Sequence, residues 1–351
     1  MPTTATATPP TKGSRRCPSG GRRFSPVFFS PLLPVLLLGL ADAADAPAKG
    51  AKDDSPPEPQ TFSATTSDSV PISARYYPAP GDDPALATVL LVHDLGGSLE
   101  SLAPLAKALQ AGGCSVVVPD LRGHGKSSIP GLAKAAGEGG QATLLKSVDF
   151  VAMAATAGGR LRDQSTVRGD IESIRNWIKQ RADGSKLDLG KLYVVGSGLG
   201  AAVAAGWTVG DAAWPPIATG RQGGDVKGLV MIDPAFVTKG FSIGKPLASE
   251  PLKTELPILL IAGGEDKDAV KVFDQLKRAR PNAWFDSRLF DAEERRNTSP
   301  AKDSEASLLF VKLGGRLSGD KLAAARSADA RQPDPARLIL AFIANVAARD
   351  R

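Results

Sequence analysis

The 351-residue chain holds two histidines, two cysteines and three methionines, and aromatic residues make up only 5% of it. The scarcity of cysteine excludes a disulfide framework. Cys17 lies in an N-terminal segment expected to be removed, and Cys114 is then left alone at the edge of a predicted strand. The body must therefore be held by its core, and about 300 residues bury enough surface to do so without covalent staples. Cys114 reads as a small buried hydrophobe, and no histidine is expected beside it to make it a nucleophile. The scarcity of histidine weighs more, because any chemistry that needs an imidazole must draw on His93 or His124. Past residue 43 there is no basic cluster interleaved with aromatics, which excludes a nucleic-acid partner.

The N-terminus has the order of an export signal. Arg15, Arg16, Arg22 and Arg23 form a basic lead, residues 27–40 are apolar, and Ala41-Asp42-Ala43 offers small residues for cleavage, so residues 1–43 are expected to be a secretory signal peptide. A membrane anchor is the alternative. The apolar stretch is shorter than the roughly 20 residues that span a bilayer, and Pro31 and Pro34 interrupt it. Most of the formal charge of +6 belongs to this segment. The expected localisation is export to the periplasm or the medium, with no stable membrane span after cleavage. Residues 44–59, rich in Ala, Pro, Asp and Lys, read as a flexible leader, and residues 60–351 as one domain.

From there strand and helix patterns alternate, the signature of an α/β protein whose mostly parallel central sheet carries helices on both faces. Residues 61–66 and 70–77 are early strands. Residues 88–92, 115–118, 192–195, 228–232 and 258–262, with a weaker run at 284–290, are too apolar to be half-exposed and read as central strands. Leu102, Leu105 and Leu109 recur at helical spacing, as do Val167, Ile171, Ile174 and Ile178, and then Ile339, Phe342, Ile343 and Val346. Residues 200–206 are almost all Ala and Gly, which lets a helix lie close to the sheet. Residues 128–165, with a helix expected around 144–154, are either a partial lid or an uninvolved surface insertion. Residues 233–257 are too short for a large cap after the sixth strand.

The run Thr88-Val-Leu-Leu-Val-His93-Asp-Leu-Gly-Gly97-Ser, followed after a helix by Val116-Val-Val-Pro-Asp120-Leu-Arg-Gly-His124-Gly-Lys-Ser127, resembles the core of α/β-hydrolases. The branch it resembles is the serine-aminopeptidase-like and monoacylglycerol-lipase-like one, and the layout is similar to uncharacterised exported bacterial members with a degenerate triad. The resemblance implies the α/β-hydrolase fold from about residue 62 onward. It also implies a Ser-His-Asp site for acyl transfer, with the serine on a tight G-x-S-x-G elbow between strand and helix.

The residues depart from that site at two of its three members. In Val195-Gly196-Ser197-Gly198-Leu199-Gly200, Gly196 and Gly200 take the flanking glycine positions, so Gly198 stands where the nucleophile belongs. Ser197 is the substitute hydroxyl, one residue early. It reads either as a displaced nucleophile or as a local hydrogen bonder at the strand end. His93 belongs to the oxyanion loop and His124 to the turn after the fourth strand. Neither follows the last strand, where the family carries its base and where residues 290–298 are expected to lie instead. Asp266, in Gly263-Gly-Glu-Asp266, matches the turn that holds the acid, and is either an orphaned triad member or the cap of a helix starting near Asp268. The backbone N–H groups of Leu95 and Leu199 would form the oxyanion hole, although Asp94 stands where many relatives have glycine. Asp94, Asp120 and Asp233 end strands at the same face; no metal or cofactor is expected, since a cation site needs converging ligands.

These readings point to an exported, non-catalytic pseudohydrolase that keeps its pocket for a small apolar ligand or a protein partner. An ester or amide hydrolase working through Ser197 or His124 is one alternative. A structural interaction module acting through the outer helices and residues 128–165 is the other, and it entails a collapsed pocket.

Overall fold

Apolar runs bounded by turn residues become the strands of this chain. The computed structural model describes residues 56–349 apart from 133, 136–139, 157–168, 183–184, 215–222, 265, 292, 295 and 330–331. The expected signal peptide and most of the leader lie outside the described residues. The strands are β1 (Gln60–Thr65), β2 (Pro71–Tyr77), β3 (Thr88–Val92), β4 (Ser115–Pro119), β5 (Leu192–Ser197), β6 (Val226–Ile232), β7 (Val237–Thr238) and β8 (Phe241–Ser242). They continue with β9 (Ile258–Gly263), β10 (Trp284–Asp286), β11 (Phe290–Asp291), β12 (Arg296–Asn297) and β13 (Leu308–Leu313).

Nine of them form one sheet in the order β1-β2-β4-β3-β5-β6-β9-β13-β10. The β1–β2 and β2–β4 pairs are antiparallel and the others parallel. Every residue of β3, β4 and β5 is buried, as expected of strands covered on both faces.

The helices are α1 (Ala103–Ala111), α2 (Ser147–Met153), α3 (Asp170–Arg181), α4 (Leu199–Ala212), α5 (Gly244–Leu247), α6 (Lys267–Ala279), α7 (Gly319–Ala323) and α8 (Pro335–Arg349). One face of the sheet packs Phe150 of α2, Ile171, Ile174 and Ile178 of α3, Trp207 of α4 and Phe273 of α6 into a continuous core. The other face packs Leu105 and Leu109 of α1 against Ile339, Phe342 and Ile343 of α8. At roughly 25 cal/mol per Å² of apolar surface removed from water, these two layers supply the main driving force for folding. Helix α4 comes close enough to β3 that a Cβ on Gly200 would overlap the carbonyl oxygens of Val92 and His93, so only glycine fits there. Between β6 and β9 the chain forms only the β7–β8 hairpin and short helical turns, so no large cap follows the sixth strand. Among the described residues no helix is long and apolar enough to cross a membrane.

The sheet's far edge corrects the sequence reading. The expected strand at 284–290 stops at Asp286, because the Asp286 carboxylate accepts the N–H of Arg288 and turns the chain. The strand beside β9 is β13, from the apolar run Leu308–Leu313. The loop after that strand is therefore 314–318. Residues 290–298 do not take that place: part of them pairs as the β11–β12 hairpin.

Two further features bear on the site. Arg122, in the turn after β4, donates from Nε to Asp170 Oδ1 at 2.8 Å and from its backbone N–H to Asp170 Oδ2 at 2.7 Å, while Nη1 reaches Asp68 Oδ2 at 2.7 Å. Cys114 is wholly buried, and burial pushes its thiol up to about 12.

Candidate functional site

The register brings one set of chain ends together. Val92 pairs with Gly196, Ile232 with both Ser197 and Ile261, and Gly263 with Leu313. The residues just past β3, β5, β6, β9 and β13 therefore gather at the carboxyl end of the parallel strands, where folds of this kind place their sites.

Strand β5 ends at Ser197 and α4 begins at Leu199, so the elbow between them is Gly198, at φ 51° and ψ −119°. Residues with a side chain rarely adopt that backbone, and a strained elbow of this kind is what lifts a nucleophile above the sheet. Here no side chain is lifted. A Cβ on Gly198 would overlap the carboxylate of Asp94, which fills that space.

Asp94 also fills the oxyanion hole. Its Oδ1 accepts the Leu95 and Leu199 backbone N–H groups, each at 2.7 Å. Those are the two donors expected from the sequence, and they do converge. The oxygen they hold belongs to the protein itself and sits at the donor distance at which a tetrahedral intermediate would be stabilised. Burial raises the Asp94 pKa, the two N–H groups oppose the rise, and the nearby Asp320 adds to it, so the net shift is upward.

Asp320 is the residue that sequence reasoning missed. It lies in the first turn of α7, after the 314–318 loop, and accepts from the Asp94 backbone N–H at 2.8 Å and from the hydroxyls of Ser101 and Ser197. A Cβ on Gly97 would overlap its carboxylate. Recognising the apolar run 308–313 as the last strand next to β9 would have exposed it. Ser197 is 1% exposed, and its hydroxyl is committed to this carboxylate on the strand end.

Two more carboxyl groups complete the cluster. Asp266 plays the capping part foreseen for it, with Oδ1 accepting from the N–H groups of Asp268 at 2.9 Å and Ala269 at 3.1 Å. Its buried Oδ2 faces Asp233. Asp233 is pushed up to about 7, first by burial and then by the Asp266 carboxylate, while the Gly319 N–H, donating at 2.7 Å, pulls the other way. Below about pH 7 the Asp233 carboxyl is therefore protonated. The acid position is filled, and the neighbouring titratable group is a second carboxyl, Asp233, where a triad would present an imidazole.

Both histidines are structural. His93 donates from Nδ1 to its neighbour's carbonyl, Asp94 O, at 2.7 Å, and its Nε2 accepts the Leu121 N–H at 3.0 Å. His124 is 4% exposed, donates from Nδ1 to Arg122 O at 3.0 Å, and lies edge-on to the His93 ring at 4.8 Å. Burial, with His93 beside it, lowers its pKa to about 4, so it is neutral at physiological pH. Asp120 accepts from the N–H groups of Leu99 at 2.7 Å and Lys126 at 2.8 Å, which closes the turn it precedes. Among the described residues, no group of three or more His, Cys, Asp and Glu has the arrangement to hold a metal ion.

The sheet order and the strand-to-helix elbow are those of the α/β-hydrolase fold. Residues 87–209, from β3 through most of α4, match the family model described as alpha/beta hydrolase fold. Over that stretch the chain is similar to the family, and its sheet has the fold the family model describes. Similar solved structures include an esterase of Pyrobaculum calidifontis at 16% identity, covering 85% of this chain and 87% of that one with a TM-score of 0.48. An esterase of Pyrococcus furiosus is similar at 14% identity, over 76% of this chain and 90% of that one, TM-score 0.44. A Xanthomonas campestris protein described as a serine hydrolase without lid is similar at 17% identity, over 74% and 85%, TM-score 0.39. No curated protein matches the chain.

Proposed function

We propose that the chain is an exported, non-catalytic α/β-hydrolase-fold protein that acts by binding a ligand or a partner. One observation carries the reading: the Asp94 carboxylate occupies both the nucleophile's place at Gly198 and the two oxyanion donors. Acyl transfer needs an attacking hydroxyl, a base to take its proton and free donors for the developing oxyanion. At this elbow the hydroxyl is replaced by hydrogen, the donors are taken, and the neighbouring groups are carboxyls. The space directly beside the Gly198 Cα is taken by the Asp94 carboxylate.

A fluorophosphonate probe and short-chain nitrophenyl esters test the loss of catalysis. The expected result is no labelling, and turnover no greater than that of the Ser197→Ala variant. Stoichiometric labelling of Ser197 would establish the enzyme reading instead. Export is tested by the mass of the protein recovered from cell fractions: a chain starting at Ala44 outside the cytoplasm is expected, and a full-length cytoplasmic chain overturns it.

A second reading, the interaction module, draws support from α2. Phe150 and Met153 anchor that helix in the core, while Val148 and Val151 stand 68% and 59% exposed on its outer side.

A further inference from the structure

The clearest place for a ligand lies beside the elbow, not on it. A cleft of about 280 Å³ opens at the carboxyl ends of β9 and β13, close to the lower size of small-molecule sites, about 300 Å³. Ala262, Val270 and Phe310 give it an apolar floor. Lys267, Arg288 and Lys312 stand on its walls. Neither Gly198 nor the oxyanion residues line it.

Of the three cations, only Arg288 is ion-paired among the described residues. Arg288 is tied to Asp286 through Nε and Nη2, at 2.9 and 2.7 Å, and its guanidinium lies 4.5 Å from the centre of the Phe310 ring. That arrangement fixes the guanidinium plane and leaves Nη1 unbonded among the described residues. A rigid guanidinium edge is suited to a planar oxyanion, and the two ammonium groups add positive potential around it. The one acid on the wall, Asp266, caps α6 through Oδ1, and its Oδ2 is buried with no hydrogen-bond partner among the described residues.

From this juxtaposition we infer that the cleft binds a small organic anion: a carboxylate, held by Arg288, Lys267 and Lys312, attached to a compact apolar body that lies on Phe310 and Val270. The inference deepens the binding reading above and rests on it only in taking the chain to be a binder. The floor selects the body and the walls select the charge, so neither a bare oxyanion nor a neutral apolar molecule satisfies both.

Titration of the full mature chain with benzoate, benzyl alcohol and inorganic phosphate, read by calorimetry and by amide NMR shifts, tests it. Benzoate is expected to bind and to shift the amides of Val270, Phe310 and Lys312. The Lys267→Ala/Lys312→Ala double variant, altering two exposed side chains, is expected to weaken benzoate about tenfold, and raised salt to weaken it further. Absence of benzoate binding overturns the inference, as does benzyl alcohol or inorganic phosphate binding as tightly as benzoate, or an unchanged affinity in the double variant. The outcomes separate cleanly. Ser197 labelling would sink the non-catalytic reading with the benzoate result intact, and a failed titration leaves the filled elbow untouched.

Discussion

Two loops at the same end of the sheet handle buried carboxylates in opposite ways. In the turn after β4, Asp170 is matched by the Arg122 guanidinium and Asp120 by two backbone N–H groups. At the elbow, Asp94, Asp233, Asp266 and Asp320 gather with no cation bonded to any of them among the described residues, and they are accommodated by backbone donors, hydroxyls and a raised pKa at Asp233. The difference teaches where charge is structural. Burial raises the Asp170 pKa and the Arg122 cation opposes the rise, whereas at the elbow burial raises Asp94 and Asp233 and the neighbouring carboxylates add to it.

Breaking the first loop has the largest expected effect. Arg122→Ala leaves Asp170, wholly buried, without its charge partner, and should lower stability by about 3–5 kcal/mol in chemical denaturation. A loss below about 1 kcal/mol would erase the contrast between the loops.

The elbow comes second. Gly198→Ser places a Cβ into the Asp94 carboxylate on a backbone that side chains resist, and should cost about 2–4 kcal/mol without creating esterase activity. Adding Asp94→Gly removes the overlap, so the double variant should recover much of that loss. Strict additivity of the two changes would show that Asp94 does not contest the space.

The smallest effect sharpens the comparison through pH. Asp233 has a folded pKa of about 7 against an ordinary 3.8, so the folded protein keeps a proton that the unfolded chain releases. Its contribution is therefore full below about pH 4 and is lost as pH rises towards 7, by on the order of 1–2 kcal/mol once solvent screening of a half-buried group is allowed for. Asp233→Asn should flatten the stability profile across that window. An unchanged slope would place the proton elsewhere.

Much of the scaffold can be read from local pattern. The apolar runs, the glycine pair Gly196 and Gly200, and the His93–Gly97 and Arg122–Ser127 segments fix strands, elbow and loops because each is a short-range requirement of geometry. The last strand could also have been read from the run 308–313, but the weaker run at 284–290 competes for the same role. Only pairing with β9 decides between them. The seat of Asp94 is harder still. It depends on a vacancy at Gly198, more than a hundred residues away in the chain, and on Gly97 and Gly319 leaving room for the acids they face. Sequence shows a glycine at the elbow, and only packing shows the Asp94 carboxylate against it.

The tight bend at Gly198 has a final consequence. Where a serine occupies such a turn it is a loaded spring, because the side chain is forced into a backbone shape it resists and the rest of the protein must hold it down. Glycine adopts the same shape with no such tension. This protein keeps the outline of a catalytic hinge in its relaxed form, and stability otherwise consumed in restraining a reactive residue remains available to the fold.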